Sequence, residues 1–287
     1  MTVFLNGRFV AEEKASVSVF DRGFLYGDGL FETIRVSNGR PFRWRQHWER
    51  LQRGTEFLRL ESPFSEDEIR CFAGKLIRRN EMPDSILRIS LSRGPGKRGY
   101  SLEGAKTPCL VMTLHPPTKD GGQTPSCWSL ITSSFRVPNY NPLAMFKTCN
   151  KLLHIMARVE AEDKKSNEAL LLNTEGIVAE CSSSNLFWIE GQSLFTPPLE
   201  SGILPGVTRR LVIELCPSLG IACQEKCVKP SRLRKADGVF LTLSTIGIVE
   251  ALSLDGIPFK KSPLTEKFRL AYRHIVETET TMPEEFL

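Results

Sequence analysis

NEALLLNTEGIVAECSSSNLFW, residues 167–188, sets the short apolar runs EALLLN, GIVA and the start of SNLFWIE around a lone acid, Glu180, and a polar Ser182-Ser183-Ser184-Asn185 cluster. Apolar runs of about four to eight residues bounded by polar turns are strands rather than helices. SLFTPP (193–198) and GVFLTLS (238–244) continue the pattern, so the second half of the chain reads as mostly β. Two helical patterns interrupt it. NKLLHIMARVEAEDKK (150–165) is amphipathic, and GVTRRLVIELCPSLG (206–220) opens on a glycine turn and is closed by Pro217 and Gly220. The tail from Pro263 is helical until TETTMPEEFL frays.

Upstream, VFLNGRFV (3–10) is strand, Asn-Gly turn and strand. FDRGFLYGDGLFETIRVSNGRPFRW (20–44) repeats the device: LFETIRV alternates, Ser37-Asn38-Gly39 turns, and PFRW continues. HWERLQRGTEFLRL (47–60) and SEDEIRCFAGKLIRR (65–79) have helical spacing, the second with a capping box from Ser65 and Glu68. SILRISLSRG (85–94) and CLVMTLH (109–115) are strands flanking a glycine-rich insert, GPGKRGYSLEG. PPTKDGGQTPS (116–126) is rich in turn formers and reads as a linker. The expected architecture is α+β in two lobes: a smaller N-terminal domain over 1–115, the linker 116–126, and a larger C-terminal domain over 127–287.

The 287 residues, 41% hydrophobic and 25% charged, have the composition of a soluble globular protein. The net charge of +5 is spread among acids, with no dense Lys/Arg block or aromatic-basic ladder, so nucleic acid is not an expected partner. Anionic small molecules suit the balance better. Of eight cysteines only Cys223 and Cys227 are close, without the second Cys/His pair that zinc needs, so no metal is expected and the thiols read as reduced. The N-terminus has no signal-peptide pattern and no apolar run reaches the ~18 residues of a membrane span. A cytoplasmic location is expected.

Three features carry chemistry. Lys147, between AMF and TCN, is an amine in an apolar stretch ahead of an amphipathic helix; an amine that condenses with an aldehyde has this setting, as does an ordinary snorkelling lysine. Glu180 could hold a ring nitrogen protonated, or lie at a strand end as a rim glutamate. Gly206-Val207-Thr208 opens a helix whose free N–H groups and dipole favour a phosphate, a property of every helix start. Arg50, one turn after His47, could neutralise that phosphate or be a solvated helix arginine. Amine, carboxylate and anion cradle together match the handles of pyridoxal phosphate.

Their order and spacing resemble the class IV (fold-type IV) pyridoxal-phosphate enzymes, from about Phe4 to past Gly256. The shared signatures are DRGFLYGDGLFET (21–33), HWERL (47–51), the lysine of KTCN (147–150), NEALLLNTEGIVAECSSSNLFW and LPGVTRR (204–210). The family includes branched-chain aminotransferases, D-amino-acid aminotransferases and 4-amino-4-deoxychorismate lyases. The resemblance implies an N-terminal α/β lobe, a C-terminal barrel-like lobe that binds pyridoxal 5'-phosphate, and a homodimer whose partner contributes to the substrate pocket. It implies that Lys147 carries the cofactor and moves the proton, and that Glu180 pairs with the pyridine nitrogen. It gives the phosphate to Arg50, Val207, Thr208 and Ser244, and places Ser184 and Asn185 in the cofactor pocket.

Within the family RGPGKRGYS (93–101) resembles the substrate loop of the lyases, which makes Arg98 and Tyr100 substrate residues. Phe31-Glu32-Thr33 and Asn150-Lys151 also resemble the lyase pattern, adding Phe31, Thr33 and Lys151. Aminodeoxychorismate carries two carboxylates, which Arg98, Lys151 and Arg88 or Arg35 could meet. The expected function is a lyase of folate biosynthesis that yields 4-aminobenzoate and pyruvate. The alternative is an aminotransferase acting on D-amino acids, (R)-amines or branched-chain amino acids, and a non-catalytic binding protein is the reading of another class.

Overall fold

The computed structural model describes residues 1–117 and 127–281. The chain divides into two compact units, Met1–Pro117 with Phe146–Asn150 and Val276–Leu287, and Thr118–Met145 with Lys151–Ile275. Most of the expected linker, residues 118–126, lies outside the described residues.

The first unit contains β1 (Thr2–Leu5), β2 (Arg8–Ala11), α1 (Arg22–Tyr26), β3 (Gly29–Ser37), β4 (Arg40–Pro41), α2 (Trp44–Leu58), α3 (Glu66–Arg79), β5 (Ser85–Ser92) and β6 (Cys109–His115). The strands form an antiparallel sheet in the order β2-β1-β6-β5-β3-β4. Strand alternation sends Leu30, Ile34 and Val36 of β3, with Leu87, Ile89 and Leu91 of β5, into the core with Trp44 and Leu51 of α2 and Ile69, Ala73 and Leu76 of α3. Each such buried aliphatic side chain contributes roughly 1.5–3 kcal/mol. Phe31 and Thr33 therefore look out from the other face, where Thr33 is opposite Arg88 and Phe31 opposite Ser90. The capping box of Ser65 and Glu68 is present at the start of α3.

Two elements differ from expectation. PFRW does not continue as a strand: only Arg40 and Pro41 pair, and Arg43 turns left-handed (φ 57°) to start α2 at Trp44. DRGFLY folds as the short helix α1, because the Asp21 side chain accepts from the Gly23 N–H and Gly27 stops it in a left-handed conformation.

The second unit contains β7 (Cys127–Val137), α4 (Leu152–Asp163), β8 (Glu168–Asn173), β9 (Val178–Cys181), β10 (Asn185–Glu190), β11 (Ser193–Thr196), α5 (Val207–Leu219), β12 (Ala222–Glu225), α6 (Pro230–Leu233), β13 (Gly238–Leu243), β14 (Gly247–Leu254), β15 (Ile257–Pro258) and most of α7 (Pro263–Thr281). Its curled sheet runs β12-β11-β10-β13-β14-β7-β8-β9, with β15 on β14. This is the barrel-like lobe. Helix α4 packs with the sheet through Ala157 and Ala161, both wholly buried, where small side chains permit close approach. Pro217 sits inside α5 rather than closing it; the helix is stopped by Gly220 at φ 68°. The expected fraying from Thr278 begins no earlier than Met282: α7 runs to Thr281, with Glu279 paired to Arg43 at 2.9 Å and Thr280 bonded to Asn38 at 3.2 Å. The rest of that tail, 282–287, lies outside the described residues.

Candidate active site

In the first unit the segment carrying Lys147 is bound to the edge of β3. The Phe31 N–H donates to the Lys147 carbonyl and the Cys149 N–H to the Gly29 carbonyl, both at 2.9 Å, with Leu30 and Thr148 bridged between them. This pairing sets the lysine on the outward side of β3, its Nζ 4.6 Å from the Phe31 ring centroid. The Arg88 guanidinium carbon lies 4.0 Å from the same centroid. Arg88 donates to Ser90 Oγ at 3.2 Å and has no carboxylate partner among the described residues. Burial lowers its affinity for a proton, and Cys149 opposes the shift.

On the inward side Arg50 is 4% exposed and grips Glu32 bidentately, Nε to Oε1 at 2.8 Å and Nη2 to Oε2 at 2.7 Å. His47 Nδ1 lies 2.7 Å from Glu32 Oε2. Burial opposes ionisation of Glu32, but Arg50 and then His47 outweigh it and hold the carboxyl at about 2. Burial lowers His47, with Glu32 opposing and the positive charges of Arg50 and Lys147 adding to the shift. Both shifts act in the same direction: the folded state binds fewer protons than the unfolded chain, so stability is lost as the pH drops. We expect the decline to begin below the ordinary histidine value of 6.5 and to continue from 4.5 toward about 2 as Glu32 protonates. Glu32→Gln should lower stability at pH 7 by on the order of 3–5 kcal/mol, because it strands a buried guanidinium. Denaturant unfolding as a function of pH measures both; a variant as stable as the parent at pH 7 would refute the role given to this pair.

Arg98 and Tyr100 lie on the loop between β5 and β6. Both are exposed, Tyr100 at 88%, with its ring edge-on to Tyr26 at 5.7 Å.

In the second unit Glu180, on β9, is 8% exposed. Its Oε2 accepts from the Leu204 N–H at 2.9 Å and from Asn185 Nδ2 at 3.2 Å, while Oε1 has only His154 Nε2, at 3.4 Å. Asn185 also donates to the Leu204 carbonyl at 2.9 Å, which ties β10 to the 204–206 turn. A Cβ on Gly206 would lie 2.0 Å from Asn185 Oδ1, so a side chain here would displace the Asn185 amide from its place beside Glu180. Three residues beyond Leu204, α5 begins with no side-chain cap, and the Arg210 N–H donates to the Gly206 carbonyl at 2.9 Å. The amides of Val207 and Thr208 are among the first-turn N–H groups for which the helix itself supplies no carbonyl. Arg209 is directed elsewhere, onto the Pro197 carbonyl and Glu225. Among the described residues the buried hydroxyl of Thr242, opposite Asn185 on β13, has no partner, and the buried Ser184 Oγ has no nitrogen or oxygen partner. Ser244 lies half-buried in the turn after β13, and Lys151 is half-buried at the start of α4.

The site residues thus fall into a lysine–aromatic–arginine group in one unit and a carboxylate–amide–helix-start group in the other. Sequence reasoning passed over Glu32, His47, His154 and Glu168. Glu168 is wholly buried and takes the hydroxyls of Ser182 and Ser183, so those two serines brace the turn before Ser184. The signal for Glu32 was present, since strand alternation puts a carboxylate at an inward position that demands a cation.

Residues 29–254 match the family described as Amino-transferase class IV. A D-alanine aminotransferase of Bacillus licheniformis is 30% identical over 284 residues, 98% of this chain and 99% of that one. An aminodeoxychorismate lyase of Bacillus subtilis is 31% identical over 282 residues, 94% of this chain and 93% of that one. Among solved structures, the branched-chain aminotransferase of the thermophilic archaeon Thermoproteus uzoniensis with norvaline superposes with a TM-score of 0.90 at 32% identity, over 97% of this chain and 96% of that one. The chain belongs to the class IV aminotransferase family, a family of pyridoxal-phosphate-dependent enzymes with the fold-type IV architecture. Among the described residues no helix is long and apolar enough to cross a membrane.

Proposed function

We propose that this enzyme binds pyridoxal 5'-phosphate and acts as a 4-amino-4-deoxychorismate lyase. The residues fit the cofactor. Glu180 Oε1 has capacity to accept beyond its long contact with His154, the start of α5 offers first-turn amides without a side-chain cap, and the hydroxyls of Ser184 and Thr242 are buried without nitrogen or oxygen partners among the described residues. Glu180 would hold the ring nitrogen; Val207, Thr208, Ser244 and Arg50 would hold the phosphate; Lys147 would hold the aldehyde carbon. When bound, the cofactor supplies a carbonyl that carries the substrate amine and a ring that accepts an electron pair.

The observation that carries the acidic substrate is Arg88. A half-buried guanidinium stacked on Phe31, with no carboxylate among the described residues to neutralise it, is set to receive a carboxylate from a ligand. Lys147 Nζ, over the same ring, would take the C4 proton of the substrate. The C3–O bond then breaks, pyruvate leaves after its enol gains a proton, and aromatisation to 4-aminobenzoate drives the step. Thr33, opposite Arg88, and Lys151 would orient the ring substituents, with Arg98 and Tyr100 as the loop's contribution.

A homodimer is part of this reading. Leu152, Ile155, Met156 and Val159 form an exposed apolar stripe on α4, and Phe20 and Phe24 are more than half exposed; surfaces of this kind are covered by partners. The small-molecule amino substrate, a cytoplasmic setting and the absence of nucleic-acid and membrane partners remain part of the same proposal.

The extent of the match to D-alanine aminotransferase favours a second reading, amino transfer to a 2-keto acid from a D-amino acid, an (R)-amine or a branched-chain amino acid. Incubation with aminodeoxychorismate and no keto acid separates the two. We expect 4-aminobenzoate and pyruvate in equal amounts. No product there, with turnover of D-alanine or leucine against 2-oxoglutarate, would replace the lyase by the transaminase.

A further inference from the structure

We propose that Arg22 is a positioning residue for substrate specificity: it latches the backbone of residues 99–101 and so sets where Arg98 and Tyr100 are presented. The proposal rests on the reading of that loop as substrate-bearing. Arg22 opens α1 and is 3% exposed. Its Nε donates to Asp28 Oδ2 at 2.8 Å, and its Nη1 donates to two loop carbonyls, Gly99 at 2.8 Å and Ser101 at 3.1 Å. From the same helix the Tyr26 hydroxyl accepts the Gly99 N–H at 3.0 Å, and the Arg22 guanidinium carbon lies 5.1 Å from the Tyr26 ring centroid. Both backbone groups of Gly99 are thus held by α1.

The start of the loop is fastened to the same place. The Arg22 N–H donates to the Gly94 carbonyl at 2.9 Å, and Asp21 bridges Pro95. Asp28 is held in turn by Arg93, through Nε at 2.8 Å and Nη2 at 3.0 Å. A planar fork joining one part-buried carboxylate to two carbonyls is a geometry that arginine supplies and lysine does not. Gly99 has φ +106°, a backbone state that side chains avoid, and it turns Arg98 and Tyr100 outward on either side of the latched peptide. The hydrogen bonds of the latch go to main chain alone, and Tyr26 meets Tyr100 only ring to edge, so the Arg98 guanidinium and Tyr100 hydroxyl are left for a ligand while the loop backbone is ordered in advance.

The test compares Arg22→Gln, Arg22→Lys and Tyr26→Phe with Arg98→Ala and with the double variant Arg22→Gln/Arg98→Ala, each as purified holoenzyme. Arg22→Gln should raise KM for aminodeoxychorismate by about tenfold, with kcat within about twofold, a loss of binding alone. Arg22→Lys should not restore it, and Tyr26→Phe should move KM the same way by less. The double variant should fall short of the product of the two single effects, because Arg22 acts in part through Arg98. Trypsin cleavage after Lys97 or Arg98 in the parent and in Arg22→Gln reads the latch without turnover, and faster cleavage in the variant is expected. Unchanged cleavage, or faster cleavage with unchanged KM, overturns the proposal. If Arg98→Ala leaves KM unaltered, it is the reading of the loop that fails, while the cleavage rate still decides whether the latch exists.

Discussion

Lys147→Ala should lose the absorbance of the bound cofactor near the visible edge and lower turnover by a factor of about 10⁴ or more. In the proposed function the lysine does two things, anchoring the cofactor covalently and moving a proton, and general-base action alone is worth about 10²–10⁴. The fold keeps its backbone fixed whatever the side chain: the Lys147 carbonyl receives the Phe31 N–H at 2.9 Å and the neighbouring Cys149 N–H is bonded to Gly29. Truncation at Cβ therefore removes the amine without freeing the segment, and Thr148 remains buried. Arg88 also stays over Phe31, so substrate affinity should survive. The variant is checked by spectrum, by single-turnover assay and by thermal unfolding. Retained absorbance with a parental spectrum, or turnover within tenfold of the parent, would remove Lys147 from the centre of the reaction.

Much of this site was legible in the sequence because its parts are local. Glu180, Ser184 and Asn185 lie within six residues, across one strand end, a serine turn and the next strand. The Gly206-Val207-Thr208 helix start is a local signal as well, and the structure adds only why the glycine is there, the 2.0 Å approach of Asn185 Oδ1. What the sequence withheld depends on separation along the chain. Arg88 stands out only because β5 pairs with β3 in the register that puts it opposite Thr33, 55 positions away, with Phe31 beneath it. Arg22 is more distant still from the carbonyls it holds, at a separation of 77 for Gly99. A strand-turn-strand reading of 20–44 hid it, since α1 is only one turn long and its helical cues are just its two ends, the Asp21 cap and the Gly27 stop.

The serine run shows the limit of composition. Four polar residues between apolar strands suggest a ligand pocket, yet two of the three hydroxyls go to Glu168, a carboxylate on β8 at a position that reads as apolar core. Alternation and family pattern do not distinguish a hydroxyl that braces a turn from one left for a ligand. The presence of an unsatisfied buried oxygen does, and here that separates Ser184 and Thr242 from Ser182 and Ser183.

Glu180→Gln should keep the cofactor bound and cut turnover by about 10²–10⁴, on the scale of a lost catalytic charge. The substitution preserves shape and most of the hydrogen bonding. An amide oxygen in the place of Oε2 still accepts from the Leu204 N–H at 2.9 Å and from Asn185, so the 204–206 turn and the start of α5 stay in position. The amide nitrogen then occupies the place of Oε1, where His154 Nε2, 3.4 Å away, can serve as acceptor by exchanging tautomer. The one property removed is a negative acceptor, replaced by a donor. A pyridine nitrogen facing that donor is left without its proton, and the ring becomes a poor electron acceptor. The substitution leaves alone the residues proposed to hold the phosphate and the aldehyde carbon, which is why affinity should hold while chemistry fails. Cofactor stoichiometry after dialysis, measured beside kcat, separates the two. Near-normal kcat with full occupancy would show that the ring nitrogen does not depend on this carboxylate.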